Sequence, residues 1–248
     1  MNGENKATIY LDAIIELLQK IKETQLPKIN QLAECMTEAI AAKKRIFLFG
    51  TGHSVLLAQE IFYRAGGLVP IYPMLESSLM LHESASKSTK LERVAAYAAV
   101  LFEEYDLQKD EILVVISNSG RNALCVELAL QAKRMGVQVV ALTSCTHSQA
   151  EASRHESGLR LMDVAELILD NQGCIGDACI PFPELNAWVA PTSTAVGAAM
   201  LQATVAQTVA YLLERGISPE IFKSSNVDGG DEENERFLKK YRKEIRCL

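Results

Sequence analysis

The sequence predicts an α/β fold: a three-layer α/β/α sandwich around a parallel sheet. Three observations carry this. Short apolar runs at residues 45–49, 68–72, 111–116, 137–142 and 166–169 read as strands buried on both faces. Segments of helical periodicity alternate with them, and that alternation builds parallel sheets with right-handed crossovers and helices on both sides. No linker or repeat interrupts residues 45–216, which read as one domain.

Residues 6–43 come first, with helical spacing. Ile9, Ala13, Leu17 and Ile21 form one stripe, widened by Leu11, Ile14 and Leu18. Pro27 marks a break, after which Ile29, Leu32, Cys35, Met36, Ala39 and Ile40 continue as a second helix. Residues 1–44 thus read as an N-terminal helical arm, packing on the domain and on a neighbouring subunit. The first strand, 45–49, closes at Gly50-Thr51-Gly52-His53-Ser54, and a helix with Leu56, Leu57, Ile61 and Phe62 follows. The second strand, 68–72, is closed off by Pro73. Residues 74–90 are polar and poorly periodic, and residues 91–105 are helical. The third strand ends at Ser117-Asn118-Ser119-Gly120. A helix over 122–135 follows, with an apolar face at Leu124, Leu128 and Ala132 and a stop at Gly136. The fourth strand ends at Thr143-Ser144 and the fifth at Asp170-Asn171. After a loop bearing Gly and Pro, Thr192 opens a long apolar helix to about Leu213. Residues 217–248 form a tail. Its turn at 226–234 leads to a charged last helix, and Asp231, Glu232 and Glu233 suit that helix's positive end.

Composition narrows the function. With 48% apolar and 23% charged residues the chain is an ordinary globular one, and its 248 residues suffice for a core without disulfide or metal. A net charge of -6 and the lack of a basic stripe argue against nucleic-acid binding. The longest uninterrupted apolar run, residues 94–102, falls far short of the roughly 18 residues a membrane span needs. The first five residues lack the pattern of a secretory signal. A cytoplasmic protein with no membrane partner is expected. The six cysteines include no CxxC pair, there is no HExxH, and Cys174 and Cys179 have no suitably spaced ligand partners. No metal and no cofactor is expected.

Ligands of open parallel sheets bind outside the carboxyl ends of the strands. Here those ends carry small hydroxyl residues, mostly where a helix begins. The first N–H groups of a helix lack partners, and the helix dipole favours an anion there. Ser117, Ser119, Thr192, Ser193 and Thr194 add hydroxyl donors, and Gly120 allows close backbone approach. Capping accounts for any one of these residues. The whole set at consecutive strand ends points to a phosphate, held without an obligatory lysine or magnesium. Nucleotide motifs fail: Val55 stands where a dinucleotide fingerprint needs its third Gly or Ala, and no Gly-Lys-Ser/Thr exists. The Gly-x-Ser-x-Gly elbow of hydrolases is absent too.

The segments Phe49-Gly50-Thr51-Gly52-His53-Ser54, Ile116-Ser117-Asn118-Ser119-Gly120-Arg121-Asn122 and Thr192-Ser193-Thr194 before a long helix resemble the sugar isomerase (SIS) domain, in particular SIS proteins allied to phosphoheptose isomerase. The resemblance runs through Leu81-His82-Glu83 to the tail at Ser225-Asn226-Val227-Asp228-Gly229-Gly230-Asp231. It implies a flavodoxin-like, five-stranded parallel sheet of order 2-1-3-4-5. It also implies a homodimer or homotetramer with sites at the interfaces, and a sugar phosphate as ligand, often with aldose–ketose isomerisation. By motif position Ser117, Asn118, Ser119 and Asn122 would hold the phosphate, while Thr51 and Gly52, with His53 and Ser54 beside them, line the sugar side. Family loops commonly carry Thr where Asn122 stands, and an amide still donates a hydrogen bond.

Isomerisation needs a base that moves a proton between neighbouring carbons. The stretch after the second strand offers Glu76, His82 and Glu83. Glu83 and His82 match by role the Glu and His that share this work in phosphoheptose isomerases; Glu60 is the only carboxylate on the helix after the first loop. An ether lyase, an amino-sugar-phosphate deaminase and a non-catalytic sensor are the alternatives. Asp228 and Asp231 are candidates to close over the site from the tail.

Overall fold

A computed structural model describes residues 5–248. Strands β1 (Ile46–Gly50), β2 (Tyr72–Met74), β3 (Ile112–Ile116), β4 (Gln138–Thr143) and β5 (Leu167–Asp170) form one parallel sheet, in the order β2-β1-β3-β4-β5. Both the class and the strand order match expectation.

The pleat of β1 organises the layers. Phe47 and Phe49 point to one face and Ile46 and Leu48 to the other, all four essentially buried. On the Phe47 side lie α5 (Tyr97–Tyr105), α6 (Ala123–Arg134) and the one-turn α8 (Leu161–Val164). Phe237 and Tyr241 of the last helix, α10 (Gly230–Tyr241), join that core. On the Ile46 side lie α2 (Leu26–Ala41), α3 (Val55–Glu60) and the long α9 (Ser193–Glu214). Each fully buried Leu, Ile or Phe in these layers stabilises by roughly 1.5–3 kcal/mol. By length and composition α9 would serve as a membrane span, but here Val196, Met200, Leu201, Val205 and Leu212 bury it against the rest of this layer.

The N-terminal segment divides in its role. Helix α2 is part of the domain's own layer, with Leu32, Ala33 and Met36 buried. Helix α1 (Lys6–Thr24) buries only Ile21 and leaves Leu11, Ile15 and Leu18 exposed. The break falls at Gln25, with Pro27 in the first turn of α2, where its missing N–H costs nothing.

Three expectations are corrected. The second strand is Tyr72–Met74, not residues 68–72. The backbone just before it pairs with the C-terminal segment: Val69 N–H donates to the Glu220 carbonyl and Phe222 N–H to the Gly67 carbonyl. Pro73 lies inside β2, tolerated because β2 is an edge strand. Second, residues 74–90 are not irregular throughout. They contain most of α4 (Leu81–Leu91), bent at Ser84 and tied down by buried Ser88, whose hydroxyl donates to the Leu79 carbonyl at 2.7 Å. Helix periodicity failed there because side-chain hydrogen bonds, not an apolar stripe, hold the helix. Helix α5 accordingly begins at Tyr97 rather than residue 91. Third, the loop before α9 contains an antiparallel hairpin, β6 (Ala178–Ile180) and β7 (Val189–Pro191). The short α7 (Cys145–Ala150) follows β4, capped by Ser144.

Candidate functional site

The first loop is fixed by close packing. A Cβ on Gly50 would stand 2.7 Å from the backbone carbonyl of Ser54. Only glycine lets the chain leave β1 and turn at once into the helical turn Gly52–Ser54. Thr51 is buried and its hydroxyl donates to Glu92 Oε2 at 2.8 Å. His53 is exposed and Ser54 half-buried.

The Ser117–Asn122 loop turns at Gly120, whose φ is +60°. Ser117 is buried and its Oγ accepts from Gly120 N–H at 3.2 Å. Ser119 stays partly open. The Asn118 carbonyl accepts from Ser144 N–H and from the Thr143 hydroxyl, and its Oδ1 accepts from Asn171 Nδ2 at 2.8 Å. These bonds stitch the ends of β3, β4 and β5 together. Ser148 lies beneath, with a buried hydroxyl that has no partner among the described residues and would stand 3.1 Å from a Cβ on Gly120.

The strand ends surround a cleft of about 130 Å3 floored by Ile116 and Leu142. Its polar wall is His53, Ser54, Asn118, Asn171, Ser193 and Thr194, with Asp177 beside them. Three of the loops singled out in the sequence therefore meet in one place, as the strand-end rule requires. Thr192 is adjacent but buried. A larger open groove, about 590 Å3, lies along α10, where Lys240 pairs with Glu220 and Lys223 with Glu233, and Arg236 stacks on Phe237.

Asp177 had no signal in the sequence. It sits on the turn before β6 with φ +68°. Its Oδ1 accepts from Thr192 N–H at 3.0 Å and Ser193 N–H at 2.8 Å, and also from the Thr192 hydroxyl at 3.2 Å. Its Oδ2 accepts from the Ser193 hydroxyl at 2.6 Å. A carboxylate of the chain itself thus occupies the start of α9.

The start of α6 is different. Asn122 is its N-cap residue by position, but its side chain does not cap the helix. Asn122 Oδ1 instead accepts from the Arg154 guanidinium at 2.7 Å. The Leu124 N–H donates to the Glu92 carbonyl, which brings residues 92 and 93 to the same point. Sequence reading missed Arg154 because its segment has no motif or periodicity, and missed Glu92 because residues 91–105 read as one plain helix, whereas Glu92 stands at the end of α4. Cys125, beneath them, is wholly buried; burial pushes its thiol up to about 12, with the Glu92 charge adding to the effect.

His82 and Glu83 are exposed, on the first turn of α4 ahead of the Ser84 bend. Glu83 pairs with Lys87, and hydrogen bonds from Lys87 and Ser77 hold its carboxyl below the usual range. Neither lines the cleft formed within one chain. Asp228 and Asp231 are exposed and do not line it either. Among the described residues, no three His, Cys, Asp or Glu side chains gather as a metal site.

Comparison with known proteins bears on the family and the fold. A UPF0309 protein of Caldanaerobacter subterraneus subsp. tengcongensis is 41% identical over 97% of this chain and 99% of its own. One of Halalkalibacterium halodurans is 41% identical over 97% of this chain and 96% of its own. Among solved structures, a phosphoheptose isomerase from Francisella tularensis superposes with a TM-score of 0.57 at 16% identity, covering 84% of this chain and 98% of that one. One from Neisseria gonorrhoeae gives 0.53 at 16% identity, over 83% and 96%. The SIS domain family model matches residues 9–144, from α1 through the Ser117–Asn122 loop to the end of β4. With more than half its length matched and UPF0309 relatives along nearly all of it, the chain belongs to the SIS domain family.

Proposed function

We propose that this protein binds a sugar phosphate at the carboxyl edge of its sheet. The observation that carries this reading is the convergence there of His53, Ser54, Asn118, Ser193 and Thr194, with the rest of the Ser117–Asn122 loop running on from Asn118 to the start of α6. The phosphate belongs at the start of α6, where Asn122 makes no side-chain cap, on Ser117, Asn118, Ser119 and Asn122, because the start of α9 already holds the Asp177 carboxylate. Thr51, Gly52 and His53, with Ser54, Thr192, Ser193 and Thr194, then face the sugar. The likeness of the fold to two phosphoheptose isomerases supports the ligand class.

The reaction we propose is aldose–ketose isomerisation, with Glu83 as base and His82 as its partner. Lys87 keeps Glu83 ionised, as a base must be, at some cost in basicity. Leu81, next to this pair in sequence, packs towards Gly52. A second copy of the chain, seated through the exposed Leu11, Ile15 and Leu18 of α1, completes the assembly in this reading.

The test is a panel of pentose, hexose, heptose and amino-sugar phosphates. Ligand at 100 times its dissociation constant stabilises by about 2.7 kcal/mol, and stabilisation by none of them refutes the reading. For a sugar phosphate that is turned over, Ser119→Ala weakens binding, while Glu83→Gln abolishes turnover and leaves binding intact. Full activity of Glu83→Gln excludes it as the base. Release of lactate or ammonia identifies a lyase or a deaminase. A second reading, a sensor without catalysis, is favoured by the engagement of Asp177, the acid of the cleft, with α9. Tight binding without turnover across the panel would select it.

A further inference from the structure

Arg154 lies on the loop between α7 and α8, a segment the strand-end motifs leave out. Two contacts fix that loop against α6. The Arg154 N–H donates to the Arg121 carbonyl at 2.9 Å, and the neighbouring His155 is buried with its Nε2 2.9 Å from Glu127 Oε2. Arg154 is therefore delivered by a built loop, and its guanidinium ends on Asn122 Oδ1 at 2.7 Å. That contact uses the amide's acceptor and leaves the two Nδ2 hydrogens of Asn122 for a ligand. A Thr at this position would lack that second pair of donors.

The charges around this point are unbalanced. Arg93 and Arg121 lie close enough to act on Arg154, with Glu92 and Glu151 as the nearby acids. Arg121 is held by Glu151 at 2.6 Å, and one oxygen of Glu92 is taken by the Thr51 hydroxyl. Among the described residues, neither Arg93 nor Arg154 has an acidic partner within 4.0 Å. The Arg154 guanidinium is held below its usual range, by burial first and then by Arg121 and Arg93.

We propose that Arg154, seconded by Arg93, forms the cationic half of the anion seat at the Ser117–Asn122 loop and selects a phosphate monoester dianion. This rests on the sugar-phosphate reading and makes it more specific. Hydroxyls and helix N–H groups alone would accept a singly charged group nearly as well. Two guanidiniums without a direct ion pair favour two negative charges on one phosphorus, and a planar fork meets phosphate oxygens in pairs. Arg154 is then a specificity-determining binding residue, and Asn122 is the joint that couples it to the loop.

The experiment measures stabilisation of the full chain by inorganic phosphate and by the sugar-phosphate panel, at matched ionic strength, for wild type, Arg154→Gln, Arg154→Lys and Arg93→Gln. The expected result is that Arg154→Gln needs about 10- to 100-fold more phosphate for the same shift, the range for a lost charge-assisted hydrogen bond. Arg154→Lys keeps the charge and falls between, and Arg93→Gln loses a few-fold. If Arg154→Gln fails to fold, the exposed Arg93 decides: an unchanged phosphate requirement in Arg93→Gln overturns the clamp. Wild-type-like binding by Arg154→Gln overturns the clamp and leaves the sugar-phosphate reading standing. A wild type that responds to neither phosphate nor any sugar phosphate overturns both.

Discussion

Replacing Asp177 tests how the wall of the cleft is held. Its carboxylate accepts from two N–H groups at the start of α9, from Thr192 and Ser193, and from both of their hydroxyls, at 2.6–3.2 Å. In Asp177→Ala all four bonds go. Loss of a helix cap costs about 0.5–2 kcal/mol. Each hydroxyl bond adds roughly 0.5–1.5 kcal/mol net, and the lost attraction of the charge for the helix end adds about 0.3–1 kcal/mol. These terms overlap, and the partly open site lets water replace some of them, so the expected loss is about 2–4 kcal/mol. For a chain of this size that is a fall in Tm of roughly 5–12 °C. Asp177→Asn keeps one acceptor oxygen for the two N–H groups and tolerates the positive φ of this position, so it should lose only about 1 kcal/mol. Urea unfolding of both variants measures this. A cost below about 0.5 kcal/mol for Asp177→Ala, or equal costs for the two variants, would refute the argument that this carboxylate anchors α9.

Two further predictions concern the frame around the site. Gly50→Ala places a Cβ 2.7 Å from backbone atoms of Ser54, which cannot swing aside as a side-chain tip would. The expected destabilisation exceeds the ~1–3 kcal/mol typical of overpacking, and a wild-type unfolding midpoint would show that the first loop is not so tightly held. Glu127 is partly buried, yet hydrogen bonds from Gln131, His155 and Arg134 outweigh burial and hold its carboxyl below the usual range. Its stabilising effect is therefore full above the unfolded value of about 4.3 and is lost as pH falls through the lower folded value. The stability difference between wild type and Glu127→Gln should shrink as pH falls from about 6 to about 3, and a pH-independent difference would contradict this account.

The fold was legible where burial writes a pattern. The apolar runs of β1, β3 and β4 are buried along nearly their whole length, and a strand covered on both faces leaves only that composition to read. The Ser117–Asn122 loop was legible too, since Ser117, Ser119 and Gly120 follow directly from the end of such a run. The rest depended on contacts between distant segments. Helix α4 lacks an apolar stripe, so nothing in its spacing announced it. Residues 68–71 are as apolar as a strand, but they pair with residues 220–222 rather than with the sheet. Asp177 and Arg154 reach the site through turn and loop, where no periodicity constrains residue type, and Glu92 does so from the end of α4. Motif reading found the loops that stand at strand ends and missed the side chains that come to meet them.

Both edges of the sheet are closed to further strands. On the β2 side Pro73 removes a donor, and the preceding backbone is bonded to residues 220–222. On the β5 side the Asp170 N–H donates to the side chain of Gln25, at the break between α1 and α2. Backbone at either border therefore has little left to offer a foreign chain, and the runaway edge-to-edge growth that threatens open sheets is checked. Association of copies through the edges of this sheet is thereby disfavoured, whereas the exposed Leu11, Ile15 and Leu18 of α1 offer a surface that point mutations can weaken one residue at a time.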